Sequence, residues 1–165
     1  MTMLDHVMRA AAIFVVALFL AAPPAMAQSK ELKATPMARS AAKTEHRLVL
    51  QVNTNEPATM ELALNNATNV EQYYRSLGEK VEIEIVTFGP GLHMLRDDTS
   101  PVKARIKAIS ESNPAISFAA CGNTRENMSK VESKEIPLIS EAKVVKSGVV
   151  RVMELQEQGW TYVKP

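Results

Sequence analysis

The hydrophobic residues of this chain recur at two spacings, one typical of buried strands and the other of helices. Leu48–Val52 is a nearly continuous apolar run, which is typical of a strand buried on both faces. Apolar residues then recur every three or four positions between Pro57 and Gly78, which predicts a helix that begins at the proline and ends at the glycine. Isoleucine and valine alternate with glutamate over Val81–Thr87, which predicts a second strand.

Further strands and helices follow in the same alternation. A single helical turn is predicted within Leu92–Asp98, and Ser100 is predicted to cap a helix with Pro101 at its first position. Ile116–Ala120 is predicted as a third strand that leads directly into Cys121. The thiol is therefore expected at a strand end.

The last third of the chain predicts a parallel sheet. Asn123 and Glu126 resemble a capping box, which predicts a helix over Thr124–Val131. The remaining elements are predicted as a strand over Lys143–Lys146, a helix capped by Ser147 and running through Gln158, and a strand over Trp160–Val163. Strands that alternate with helices indicate an α/β fold, here a three-layer sandwich of about five mainly parallel strands with helices on both faces.

The first 27 residues have the pattern of a secretory signal peptide. Arg9 precedes an apolar run over residues 10–22, Pro23 ends that run, and Ala25–Ala27 is the small-x-small site that signal peptidase needs. The run is shorter than the ~20 residues that span a bilayer, so no stable membrane insertion is expected. An uncleaved anchor is the alternative to cleavage after Ala27.

Residues 28–45 are polar and lack apolar periodicity, which predicts a flexible linker ahead of a domain over 46–165. The predicted location is periplasmic or secreted. Nineteen lysines and arginines against 18 acidic residues leave a net charge of +1, which provides no broad basic field for nucleic acid. No nucleotide-binding glycine signature is present, and His46, His93 and Cys121 are too scattered for a metal site, so no cofactor or metal is expected.

Cys121 is the candidate for chemistry because it follows a strand and precedes a predicted helix. The positive end of that helix, nearby backbone N–H groups and Arg125 are expected to stabilise a thiolate on a partly exposed sulfur. The alternative is that Cys121 is the last buried residue of its strand. His93 either contacts a bound group or is a hydrogen-bonded turn residue.

Three motifs resemble the DsrE/DsrF-like family over residues 46–165. They are Phe88–Leu92 after the second strand, Ala120–Thr124 after the third, and the closing segment Lys146–Pro165. In the best understood members of that family, the cysteine after the third strand carries a persulfide in sulfur relay, and Cys121 occupies the matching position. The family also tends to form homotrimers, hexamers or mixed complexes.

The resemblance implies a sulfurtransferase-like protein that carries sulfane sulfur as a persulfide on Cys121, and the predicted signal peptide makes it an exported one. Its partners would be further copies of the chain, in a trimer or hexamer, and a sulfur donor or acceptor that is a protein or a small thiol. The expected auxiliary contacts are His93, Gly122, Asn123, Thr124 and Arg125. Met94 and Leu95 are apolar in a predicted surface loop, which favours burial at a subunit interface. The alternative is a non-catalytic oligomeric binding module with a structural cysteine.

Overall fold

A computed structural model describes residues 45–165; the predicted signal peptide and all of the predicted linker except Glu45 lie outside the described residues. The elements in chain order are β1 (Glu45–Val52), α1 (Pro57–Ser76), β2 (Lys80–Thr87), a 3₁₀ helix (Gly89–Leu95), α2 (Lys103–Ser112), β3 (Ile116–Cys121), α3 (Gly122–Glu132), β4 (Ala142–Val145), α4 (Gly148–Glu157) and β5 (Thr161–Val163). Within residues 45–165, none of the helices has the length and apolarity needed to cross a membrane.

The five strands form one sheet in the order β4-β3-β2-β1-β5, and every neighbouring pair is parallel. This confirms the predicted α/β fold. The register is fixed by burial, because a shift of one residue would exchange the two faces of a strand. In the central pairs Leu50 lies opposite Ile85, and Ile85 lies opposite Phe118.

The two faces of the sheet carry cores of different size. One core joins Leu48, Leu50 and Val52 of β1 to apolar residues of α1, α2 and α3. The smaller core joins Val49 and its neighbours on β2 and β3 to α4. Successive residues of β1 therefore point to opposite layers, which explains why its sequence is apolar without interruption.

An ion pair fastens α4 to the sheet. Arg151 of α4 donates two hydrogen bonds to Glu84 of β2, Nε to Oε1 and Nη2 to Oε2, both at 2.7 Å. Glu84 is buried, so this bidentate pairing supplies partners for a carboxylate that water barely reaches. The pair accounts for a charged residue in the middle of an apolar strand.

Because of the strand order, the connections that leave the carboxyl edge change from one face of the sheet to the other. The chain steps from β1 to β2, β3 and β4 in turn, with the intervening helices on one face. It then returns across the sheet to β5, with α4 on the other face. The connections that leave β3 and β4 therefore run to opposite faces, and such a point is where open α/β sheets bind ligands.

Two predicted helix starts were wrong. Helix α2 begins at Lys103 after the N-cap Val102, and the Ser100 hydroxyl donates instead to the carbonyl of Met94 at 2.6 Å. Helix α3 begins at Gly122, so Cys121 is its N-cap and Asn123 lies inside the first turn. Neither helix therefore has a side-chain hydrogen bond from the residue that the local sequence offered as a cap, Ser100 or Asn123.

The prediction that Met94 and Leu95 face solvent or a second subunit was also wrong. Both side chains are fully buried within the single chain. They belong to the 3₁₀ helix, which packs against β2 and β3 and contributes to the larger core. Their apolar character therefore reflects the packing of this chain.

Arg96 directly follows the 3₁₀ helix and is only 1% exposed. It donates to both carboxylate oxygens of Asp98 at 2.8 Å and to those of Glu132 at 2.5 and 2.9 Å. Hydrogen bonds from Arg96 lower the pKa of Glu132 to about 2 and hold the pKa of Asp98 well below its usual range. This network joins the segment after the 3₁₀ helix to the end of α3.

Candidate functional site

Three connections meet at the carboxyl edge of the sheet, and hydrogen bonds join them. They are the turn after β2, which begins at Phe88, the start of α3, and the segment between β4 and α4. The N–H of Gly89 donates to Thr124 Oγ1 at 3.0 Å, and the N–H of Asn123 donates to the carbonyl of Lys146 at 3.2 Å. The segments Phe88–Leu92 and Ala120–Thr124 are thus in direct contact through Gly89 and Thr124.

Cys121 lies at the centre of these connections. It is the last residue of β3, the N-cap of α3 and the neighbour of Val145 on β4. Only 4% of the surface of Cys121 is exposed in the single chain, so the expectation of a partly exposed sulfur was wrong. The start of α4 packs against Cys121, and the sequence gives no local signal of this contact.

The N-termini of two helices converge on the thiol. Helix α3 starts directly after Cys121, and α4 starts at Gly148. A Cβ placed on Gly148 would lie 3.2 Å from the Cβ of Cys121 and 2.8 Å from Cδ1 of Phe88. Glycine at this position therefore allows the first turn of α4 to approach the cysteine, which brings a second set of backbone N–H groups to the sulfur.

The surroundings of Cys121 act on its pKa in opposite directions. Burial raises the pKa of the thiol, whereas the Thr124 hydroxyl and the backbone N–H groups of Gly148, Thr124 and Asn123 lower it, and the balance is a pKa below the ordinary value. No N–H of α3 closes a full capping hydrogen bond on the sulfur, so these groups stabilise a thiolate through their partial positive charges. The expected stabilisation by the start of α3 agrees with this arrangement.

The hydrogen-bond partners of Arg125 lie away from Cys121, and His93 takes one of the two roles considered for it. Arg125 donates from Nε to the carbonyl of Ile136 at 2.8 Å and from Nη2 to Glu135 at 2.9 Å, so its charge is directed toward the connection before β4. His93 lies on the 3₁₀ helix, and its Nδ1 is 2.8 Å from the hydroxyl of Thr99. Its position matches the hydrogen-bonded turn residue.

Two open grooves are lined by residues that follow Cys121 closely in sequence, although the cysteine itself lines neither. One has a volume of about 610 Å³ and is bordered by Asn123, Lys146 and the first turns of α4. The other, of about 340 Å³, is bordered by the turn at Gly89 and by Thr124 and the outer face of α3. A further groove of about 610 Å³, which Glu71 helps to line, lies at the opposite, amino-terminal edge of the strands and is remote from Cys121.

The groove beside Asn123 carries charged side chains of both signs, Lys146, Arg151 and Glu154. Within residues 45–165, no group of three or more histidine, cysteine, aspartate or glutamate side chains is placed to hold a metal ion. The nucleophilic side chain at this edge is the thiol of Cys121.

Comparison with known proteins supports the fold and gives no activity. No family model matches the chain, and no curated protein matches it. The chain is similar to the solved structure of MTH1491, a protein of unknown function from Methanobacterium thermoautotrophicum, with a TM-score of 0.62 and 26% sequence identity. The match covers 73% of this chain and 99% of that one, so the similarity extends over a whole domain.

Proposed function

We propose that this protein is an exported sulfur carrier that takes up sulfane sulfur as a persulfide on Cys121. The observation that supports the proposal best is the position of the thiol, between two helix N-termini and beside a hydroxyl donor, where a thiolate is favoured. The motif resemblance to the DsrE/DsrF-like family supports the same reading. The small-x-small site at Ala25–Ala27 supports export.

Sulfur uptake in this scheme is a thiol exchange with no net oxidation. A lone pair of the Cys121 thiolate forms a bond to the outer sulfur of a donor persulfide, R–S–SH. The donor S–S bond breaks, its electron pair leaves on the inner sulfur as R–S⁻, and the transferred sulfur keeps its hydrogen. An acceptor thiolate removes that sulfur by the same exchange and restores the Cys121 thiolate.

A single cysteine suits a carrier in an oxidising compartment. The whole chain contains one cysteine, so an intramolecular disulfide cannot form and withdraw the thiol. The donor and acceptor must therefore come from outside the chain, as a protein persulfide or a small-thiol persulfide. In this scheme a donor or acceptor would dock in the open grooves beside Asn123 and Thr124, which are close to the cysteine in sequence.

One observation favours the second candidate function, a non-catalytic oligomeric binding module. Cys121 is 4% exposed, and free cysteine is among the residue types that are most often buried. In that case the sulfur fills the space between β3 and the start of α4, and the grooves hold a ligand without thiol chemistry. Reactivity of the native thiol separates the two functions.

The first prediction is that native Cys121 reacts with iodoacetamide near neutral pH, with an apparent pKa below the free value of about 8.5. It should also gain the mass of one sulfur atom when the protein is incubated with a small-thiol persulfide. The Cys121→Ser variant should show neither modification and should keep its far-UV circular dichroism spectrum. Alkylation that occurs only after denaturation would contradict the carrier and support the binding module.

The second prediction is that the protein forms a homotrimer or homohexamer, as the family resemblance implies. Val149, Val150 and Met153 lie on neighbouring positions of α4 and are each about half exposed, which leaves an apolar surface for a second copy to cover. Light scattering at micromolar concentration should give a trimer or hexamer mass. Met153→Glu should lower that mass, and Leu62→Glu on α1 is the matched control; a monomer mass for the wild type contradicts the prediction.

A further inference from the structure

The groove of about 610 Å³ at the amino-terminal edge of the sheet is mainly acidic. Five glutamates line it, against two basic residues, Arg75 and Lys80. Three of the glutamates each lie within hydrogen-bond distance of a basic side chain; they are Glu45, Glu79 and Glu84. The other two, Glu71 and Glu82, are the carboxylates that remain for a ligand.

Glu71 is an almost fully buried carboxylate with an unused acceptor. It lies on the inner face of α1 and is only 6% exposed. Its Oε2 is shielded from water, and no donor within residues 45–165 forms a hydrogen bond with it. Its Oε1 lies 3.2 Å from Nη1 of Arg75, whose side chain is 64% exposed. A buried carboxylate oxygen without a donor costs free energy, so this position favours a ligand that supplies an N–H group.

Glu82 provides a second, more open carboxylate in the same groove. Its side chain is 54% exposed, and its contact with Nε of Arg47 is 3.7 Å, which is longer than a hydrogen bond. Arg47 donates instead from Nη2 to Glu45 at 2.9 Å. Within residues 45–165, no three carboxylate, histidine or cysteine side chains are placed to hold a metal ion. The two carboxylates therefore suit positive charges that are separated along one organic molecule.

The groove also offers apolar surface to such a molecule. Ile83 and Trp160 are among the lining residues, and Trp160 is partly exposed. A tryptophan ring attracts ammonium groups and packs well against methylene groups. Separated negative charges beside an aromatic and aliphatic wall are complementary to a chain of methylene groups that carries several ammonium groups.

We propose that this groove binds a linear aliphatic polyamine. One ammonium group donates to Oε2 of Glu71, a charge-assisted hydrogen bond that supplies the missing donor, and another pairs with Glu82. The side chain of Arg75, which is largely in water, moves aside as the ammonium enters, since an exposed ion pair of this kind is weak. The methylene groups pack against Trp160. The site lies at the opposite edge of the sheet from Cys121 and does not depend on sulfur transfer.

Isothermal titration calorimetry with spermidine at low ionic strength tests the site. We expect the wild type to bind a single spermidine per chain, with an affinity that falls as sodium chloride is added. Glu71→Gln keeps the shape of the side chain and removes its charge, so it should weaken binding about tenfold. Glu126→Gln removes the same charge from an exposed position of α3 outside the groove and should bind as the wild type does. Trp160 is the only tryptophan of the chain, so its fluorescence should change along the same titration.

Several outcomes would overturn the inference. They are a wild type that does not bind spermidine, and an equal loss of affinity in Glu71→Gln and Glu126→Gln, which would mean that net charge alone attracts the amine. If Glu71→Gln does not fold, Glu82→Gln alters an exposed carboxylate and should weaken binding in the same direction; wild-type affinity in that variant contradicts the site. n-Butylamine has one ammonium group and should bind at least about tenfold more weakly than spermidine. Equal affinity for the two amines contradicts a second charged contact. The reactivity of Cys121 enters none of these outcomes, so this site and the sulfur carrier are tested separately.

Discussion

Gly91→Ala should lower the free energy of unfolding by about 3 kcal/mol, the upper end of what overpacking usually costs. The new methyl group would meet the backbone of Val52 and Asn53, which cannot rotate away as a flexible side chain would. The backbone of Gly91 has no positive φ, so the cost is one of space alone. Urea unfolding followed by circular dichroism measures the change.

Gly78→Ala is the matched control for this prediction. Gly78 has a φ of +70° and no heavy atom within 4 Å of the position that a Cβ would take. Its substitution should cost about 1 kcal/mol, because it strains the backbone without creating a contact. If Gly91→Ala is no more destabilising than Gly78→Ala, the close approach of the turn to β1 does not constrain the fold.

Arg96→Met is the second substitution with a large expected effect, and it should destabilise the protein by about 3 kcal/mol at pH 7. Methionine fills much of the same space but removes every hydrogen bond that Arg96 donates to its two carboxylate partners. Asp98 and Glu132 are then left close together without the guanidinium between them. Their side chains are each about 30% exposed, so water recovers part of the loss.

The effect of Arg96→Met should depend on pH. In the folded protein the pKa of Glu132 is about 2 and that of Asp98 is well below its usual range, whereas both are near 4 in an unfolded chain. The stabilisation is therefore complete above about pH 4.5 and is lost as the pH falls toward about 2. Urea midpoints of wild type and variant should converge over that interval.

Lys107→Met provides the control for the loss of a cationic side chain. Lys107 and its partner Glu111, one helical turn away, are both about two-thirds exposed, so its removal should cost no more than about 0.5 kcal/mol. A difference between wild type and Arg96→Met that stays constant from pH 7 to about pH 2.5 would show that the cost arises from packing and not from the ionised carboxylates.

Local sequence patterns were sufficient to predict most of the fold. The apolar run of Leu48–Val52 predicted a strand buried on both faces, and the helical spacing after Pro57 predicted a helix. Both elements are present in the structure. Boundaries were less accurate where tertiary contacts decide them. Cys121 turns directly from strand to helix, although Asn123 offered a better cap in the sequence.

The candidate site was predictable only in part. That Cys121 ends a strand next to a helix follows from adjacent residues. The contribution of Gly148 does not, because it depends on β4 pairing with β3 and on α4 crossing to the opposite face. Arg125 was misassigned for the converse reason: it is only four positions from Cys121 in sequence, but its hydrogen-bond partners are Ile136 and Glu135.

The return of the chain across the sheet has an expected consequence for folding. β5 is the final strand, and the hydroxyl of Tyr162 on it donates a hydrogen bond to Gln51 of β1, 111 positions earlier. We expect contacts at such separation to close late, because the entropy of the long loop must be overcome before they form. Helix α4 lies on this returning segment, so we expect Gly148 to reach Cys121 only as the last part of the chain docks. Until then, the cysteine would lie beside one helix end instead of two.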